Sequence, residues 1–221
     1  MRTLVIPKHV FDEIVRSVSE TPRGFETGVT LFGTSLEGTP DPSHVVLAIA
    51  GPGSRATYEP AHYSGDENHS NEIYGALRSA SPGIRWLGEL HVHPRGMTWL
   101  SHGDLRTVRD ILTGSDGTLH PEEFIAGVMQ RRDGTVDIYP FHFAREWLKG
   151  RAMEIRIADS KDPEVQQARR NTIEKGEHDD RPSICTESQG SRAAVPQARS
   201  LRRLREWWQR YRPHGRTRGH R

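Results

Sequence analysis

Between Gly88 and Leu105 the chain reads Gly-Glu-Leu-His-Val-His-Pro-Arg-Gly-Met-Thr-Trp-Leu-Ser-His-Gly-Asp-Leu. Side chains two apart on a strand share a face, so His91 and His93 can present their imidazoles to one metal ion. Ser101 is a natural helix N-cap, and Asp104, in the first turn that follows, is placed to supply a third ligand. Two nitrogens and one carboxylate oxygen leave the fourth position of a tetrahedral zinc for water, the arrangement of a catalytic site. A closed structural site would want thiolates, and the one cysteine is Cys185. Such a site also needs a carboxylate that takes the proton of the metal's water without binding the metal. Glu26 is the first candidate; it stands at the start of an expected strand, Glu26-Thr27-Gly28-Val29-Thr30-Leu31-Phe32-Gly33, whose glycines permit close approach. Glu89, two residues before His91 on the same face and deeper in the sheet, is its rival.

The elements that must position these groups follow from periodicity. Pro7 precedes Val10, Phe11, Ile14, Val15 and Val18, an amphipathic helix pattern closed by the turn at Pro22–Gly24. Residues 29–32 and 45–49 read as neighbouring strands, 71–80 as a helix stopped by Ser81-Pro82-Gly83, and 84–92 as the strand carrying the histidines. Leu105, Val108 and Leu112 mark a helix over 101–112, and residues 124–129 and 136–143 are two last strands joined through Asp133-Gly134. The expectation is an α/β domain with more strands than helices.

Composition divides the chain near Lys149. Residues 1–150 carry 14 Lys and Arg against 19 Asp and Glu, and residues 151–221 carry 17 against 10. Apolar residues concentrate in the first part, so the expected organisation is a catalytic domain over 1–148, a polar flexible linker over 149–198 and a basic amphipathic tail over 199–221. Within the linker, His178, Asp179, Asp180 and Cys185 read as solvated groups rather than ligands. In the tail, nine arginines face one acid, a run that attracts nucleic acid, an acidic membrane or an acidic protein, and Leu201, Leu204, Trp208 and Tyr211 form a narrow apolar stripe suited to a partner's groove or to the domain itself. A mean hydropathy of −0.72 and no apolar run near the ~18 residues of a membrane span argue against an integral membrane protein. The start of the chain shows no export signal and the single cysteine demands no oxidising compartment, so a cytoplasmic protein is expected.

A glutamate at a strand start followed far downstream by His-x-His-Pro, a serine after seven residues and an aspartate three further on resembles the motif of the JAMM (MPN+) metalloproteases, most closely their compact bacterial branch. Here the positions are Glu26, His91, His93, Ser101 and Asp104, and the likeness spans about residues 5–145. It implies an MPN/JAB sheet of cytidine-deaminase-like type flanked by helices, one zinc on His91, His93 and Asp104, Glu26 as the base, and Ser101 as an oxyanion donor. It further implies an isopeptidase acting on a ubiquitin-like protein with an extended, glycine-ending tail; activating and conjugating genes alongside, as in an antiphage system, would favour that reading, and cysteine- or cofactor-biosynthesis genes the next one. A peptidase that processes a sulfur-carrier protein would share the site, and a non-enzymatic interaction module with a nucleic-acid-binding tail is the third reading. Val92 departs from the Ser or Thr of many relatives, but alternation turns it away from the metal face. The short span from Asp104 to Phe124 leaves little room for the ubiquitin-binding insertion of some eukaryotic members.

Overall fold

Pro7 ends one element and begins another. The computed structural model describes residues 1–37, 42–60, 62–93, 96–114 and 121–178. Its first strand, β1 (Thr3–Pro7), runs directly into helix α1 (Lys8–Glu20), because proline fixes φ near the helical value and loses no hydrogen bond at the start of a helix. There follow β2 (Gly28–Leu36), β3 (Ser43–Ala50), the short hairpin β4 (Thr57–Glu59) and β5 (His62–Ser64), α2 (Glu67–Ala80), β6 (Arg85–Val92), α3 (His102–Thr113), β7 (Glu123–Arg132), β8 (Thr135–Ala144), β9 (Trp147–Ala152), β10 (Glu154–Ala158) and α4 (Pro163–His178). The expected helix over 71–80 begins a turn earlier, where the Asp66 carboxylate accepts from the His69 N–H.

Eight strands form one mixed sheet in the order β10-β1-β3-β2-β6-β7-β8-β9. Strands β2, β3 and β6 pair antiparallel, β6 and β7 parallel, and β7 and β8 antiparallel across the two-residue Asp133-Gly134 turn, where Gly134 takes φ 76°. Helix α1 covers one face, burying Val10, Ile14 and Val18 against Leu4, Ile6, Val29, Leu31, Leu90, Val92, Ile125 and Met129. The other face carries α2 over Phe32 and Ala50, α3 over Phe124, Ala126 and Val128, and α4 over Val5 and Val45. With helices on both faces, strands such as β1 are apolar at successive positions, Leu4, Val5 and Ile6 all being fully buried. The architecture is the mixed α/β one expected.

The expected linker from residue 149 is corrected over 149–178. Strand β10 lies parallel to β1 in register from Thr3↔Glu154 to Pro7↔Ala158, and Val165 and Ala168 of α4 are fully buried. The segment is poor in apolar residues, but Val165, Ala168 and Thr172 fall three and four apart and form one buried stripe, while Ile157 and Ile173 stay exposed. Asp162 accepts from the N–H of Glu164 at the start of α4, and Arg156 of β10 pairs with both Asp162 and Glu164. The domain therefore extends at least to α4. The remainder of the expected linker and the tail over 199–221 lie outside the described residues. Among the described residues no helix is long and apolar enough to cross a membrane.

Candidate metal centre

Strand β6 delivers the two histidines. Leu90 and Val92 turn into the α1 core, and the alternate positions, Glu89 and His91, face the other side of the sheet, beneath α2 and α3. Val92 thus has the core position that its alternation implied. His93 follows the strand end and is buried at 7% exposure. The chain returns through the loop containing Gly96, whose N–H donates to the His93 carbonyl at 3.3 Å and whose carbonyl accepts from the Gln130 side chain of β7.

Helix α3 delivers the carboxylate. Ser101 and Asp104 form a capping box: the Asp104 N–H donates to Ser101 Oγ at 3.2 Å and the Ser101 N–H donates to Asp104 Oδ2 at 2.7 Å. This reciprocal pair fixes the carboxylate against the helix N-terminus, where the dipole favours its negative charge. Asp104 Oδ2 lies 3.5 Å from His91 Nε2 and 3.4 Å from His93 Nε2. Bonds of 2.0–2.1 Å to a tetrahedral ion require donor atoms about 3.4 Å apart, so both distances match a zinc edge. The two Nε2 atoms lie 2.6 Å from each other, an edge that must open by under ~1 Å to accept such an ion. One oxygen and two imidazole nitrogens, all within 4.8 Å of one another, are a donor set that suits zinc.

Glu26 comes to this centre from β2. Gly28 is the register partner of His91, and the Val92 N–H donates to the Thr27 carbonyl at 2.7 Å, which continues the pairing and sets Glu26 opposite His93. Regular strand pairing begins at Gly28, so Glu26 precedes the strand rather than opening it. Its N–H donates to the Glu59 carbonyl of the β4–β5 hairpin at 3.2 Å, and Arg131 of β7 holds the approach loop by donating to the carbonyl of Thr21 at 2.6 Å and of Phe25 at 3.5 Å. Burial pushes the Glu26 carboxyl up to about 7, with His93 opposing that rise and Asp104 adding to it. For Asp104 burial also opposes ionisation, but the hydrogen bonds to His91, His93 and Ser101 outweigh it and hold the carboxyl far below the usual range.

Glu89, the rival base, is likewise raised to about 7 by burial, yet the charges that act on it are His91 and Glu67 rather than Asp104. It lies toward α2, beside Tyr63, whose ring packs over Gly28 and whose hydroxyl donates to the Gly28 carbonyl at 3.3 Å. A Cβ at Gly28 would stand 2.9 Å from both that ring and the Leu90 carbonyl oxygen, so this glycine is what lets Tyr63 close beside His91. His102 is exposed on α3, and Trp99, 61% exposed, stands on the rim.

The structure thus brings together Glu26, His91, His93, Ser101 and Asp104. Sequence reading missed Tyr63 and Arg131, which carry no motif and reach the site only through the hairpin and the β7–β8 turn. It also missed a second donor cluster, His44, Glu123 and His142, whose members are scattered along the chain.

No protein-family model matches the chain, and no curated protein matches it. Among solved structures it is similar to the solution structure of protein DSY2949 from Desulfitobacterium hafniense, with 16% identity, a TM-score of 0.49, and coverage of 71% of this chain and 93% of that one.

Proposed function

We propose that the protein is a zinc-dependent peptidase of the JAMM type, acting on a ubiquitin-like protein either by releasing it from a conjugate or by trimming its C-terminal tail. The observation that carries this reading is the convergence of His91, His93 and Asp104 donor atoms at zinc-edge distances with Glu26 opposite His93 and outside the donor set. The finer fold assignment, a cytidine-deaminase-like MPN/JAB sheet, belongs to the same proposal.

When bound, zinc acidifies a coordinated water to a pKa near ~7 and polarises the scissile carbonyl. The chain's residues do the rest. Glu26 accepts the proton of the attacking water and returns it to the leaving amine, which completes the cleavage with no net proton change. Its buried setting favours a carboxyl that exchanges protons readily near neutrality. Ser101 Oγ spends an acceptor lone pair on the Asp104 N–H, so its O–H stays available to donate to the carbonyl oxygen as charge develops there. Asp104, ionised and fixed by the capping box, balances the metal's charge. The Tyr63 ring and the β4–β5 hairpin wall the site on the side of Glu26.

The single cysteine suits a cytoplasmic setting. Partner choice, including activating and conjugating enzymes and an acidic partner for the arginine-rich tail, is part of this proposal. The test is cleavage of ubiquitin-like proteins carrying a C-terminal extension, or joined to a lysine, by zinc-loaded wild type and by Glu26→Gln. Cleavage after the terminal glycine by the wild type alone supports the reading. Equal cleavage by both proteins would refute the role of Glu26, and trimming of extensions without release from lysine would favour sulfur-carrier processing.

A further inference from the structure

Strand β8 comes back against the far edge of the sheet. The Met153 N–H donates to the Pro140 carbonyl at 3.0 Å, and the Glu154 N–H donates to the Arg2 carbonyl at 3.1 Å, so the sheet curls until β8 faces β1 and β3 across the α1 face. That closure brings His44 of β3, Glu123 of β7 and His142 of β8 together, on the opposite face from His91. The rings of His44 and His142 stack with centroids 5.1 Å apart.

We infer that His44, Glu123 and His142 form a second zinc site, for which Arg2 competes as a built-in cation. Three observations support it. The donor atoms all lie within 4.8 Å, and His142 Nε2 stands 3.3 Å from Glu123 Oε1, again the edge length that ~2.0–2.1 Å bonds require. His44 Nδ1 is 2.9 Å from Ser35 Oγ, the outer contact that holds a ligating imidazole in the tautomer with Nε2 free. His142 is fully buried, its Nδ1 has no hydrogen-bond partner among the described residues, and its Nε2 faces Glu123 Oε1 at 3.3 Å, a pair of donor atoms that one metal ion can bridge.

Arg2 now supplies the positive charge. Its Nη2 lies 3.2 Å from Glu123 Oε1 and its Nη1 3.4 Å from His44 Nε2, so it faces two of the three donors. It precedes β1 and keeps a side chain 23% exposed, and Glu123 is 33% exposed, so the guanidinium can swing outward and an ion can enter from the same side. Two imidazoles and one carboxylate suit zinc, and entry of the ion displaces Arg2. The inference stands apart from the peptidase reading, since no residue is shared with the first centre.

The experiment removes the first centre and titrates the second. Full-length Asp104→Ala protein is dialysed against zinc chloride and its metal content measured, beside Asp104→Ala/Arg2→Gln and Asp104→Ala/Glu123→Gln. The expected result is about one zinc per chain in Asp104→Ala, a dissociation constant lowered about tenfold or more by Arg2→Gln, and loss of that zinc in the Glu123→Gln variant. Because Glu123→Gln could disturb folding, cobalt titration of the two variants that keep Glu123 gives an independent reading: a visible ligand-field band, stronger at equal metal in the Arg2→Gln protein. Failure of Asp104→Ala and its Arg2→Gln variant to hold zinc, or zinc that neither Arg2 nor Glu123 influences, overturns the site.

Discussion

Glu26 stands just beyond the β2–β6 pairing, at the position that its register sets opposite His93, although 66 residues lie between them in the chain. Opposed residues of an antiparallel pair share a face, so continuing the register aims the carboxylate at the centre. If Glu26 is the base, Glu26→Gln leaves the zinc content unchanged and lowers turnover by about 10²–10⁴-fold, while Glu89→Gln keeps most activity. Metal analysis beside a cleavage assay checks both, and the reverse pattern would move the role to Glu89.

Arg131 acts on the same residue at one remove. Its guanidinium fastens the carbonyls of Thr21 and Phe25, the latter adjacent to Glu26. In Arg131→Met the loop loses both anchors, so turnover falls with zinc binding and substrate KM nearly unchanged. Arg131→Lys, which can keep one of the two bonds, recovers part of the loss. A KM effect without a turnover effect would assign the loop to substrate binding instead.

How much of this was legible beforehand depends on distance along the chain. His91, His93, Ser101 and Asp104 lie within 14 positions, so strand alternation and helix capping were enough to bring them together on paper. The long apolar runs of β2, β3, β6, β7 and β8 were equally visible. Strand β1 was not, because Thr3–Pro7 is short and abuts a helix, and β10 and α4 were hidden by their polarity. Their burial comes from pairing with β1 and packing on Val5 and Val45, partners more than a hundred residues away. His44, Glu123 and His142 meet only because the sheet curls, a tertiary property with no local pattern.

The extended domain changes what a truncation should do. A chain ending at Lys149 loses β10 and α4 and uncovers Val5 and Val45, so it should be insoluble or melt more than ~10 °C below one ending at His178. Thermal melts of the two chains check this; equal melting temperatures would return 149–178 to the status of a linker.

Gly88 should tolerate no side chain. It sits on the strand that carries His91 with φ 149°, and a Cβ there would stand 1.9 Å from the Ile125 carbonyl oxygen across the parallel β6–β7 pair. Since backbone must move, Gly88→Ala is expected to cost over ~2 kcal/mol of stability and to weaken zinc binding with it. Denaturant unfolding measures the first and metal content the second.

Asp66 links the fold to pH. Its carboxylate caps α2 and takes hydrogen bonds from Arg55 as well as His69, and the Arg55 hydrogen bond leads the causes that hold its pKa below the usual aspartate value. A carboxyl depressed in the folded state contributes stability that is fully present above its unfolded value near ~3.9 and is lost as pH falls through the folded value. Asp66→Ala should therefore cost about 0.5–2 kcal/mol at neutral pH, with the gap from wild type shrinking in acid. Urea melts at neutral and acidic pH test the sign; a gap that widens in acid contradicts it.

Zinc-dependent hydrolysis at His91, His93 and Asp104, with Glu26 moving the proton, is the proposed activity. Its most direct measurement is mass-spectrometric detection of cleavage across a panel of ubiquitin-like proteins bearing C-terminal extensions, with zinc-loaded, chelated and Glu26→Gln protein in parallel. The expected result is a cut directly after the terminal glycine by the zinc-loaded wild type, its loss on chelation, its return with zinc, and no cut by Glu26→Gln. Cleavage that survives both chelation and Glu26→Gln would contradict it.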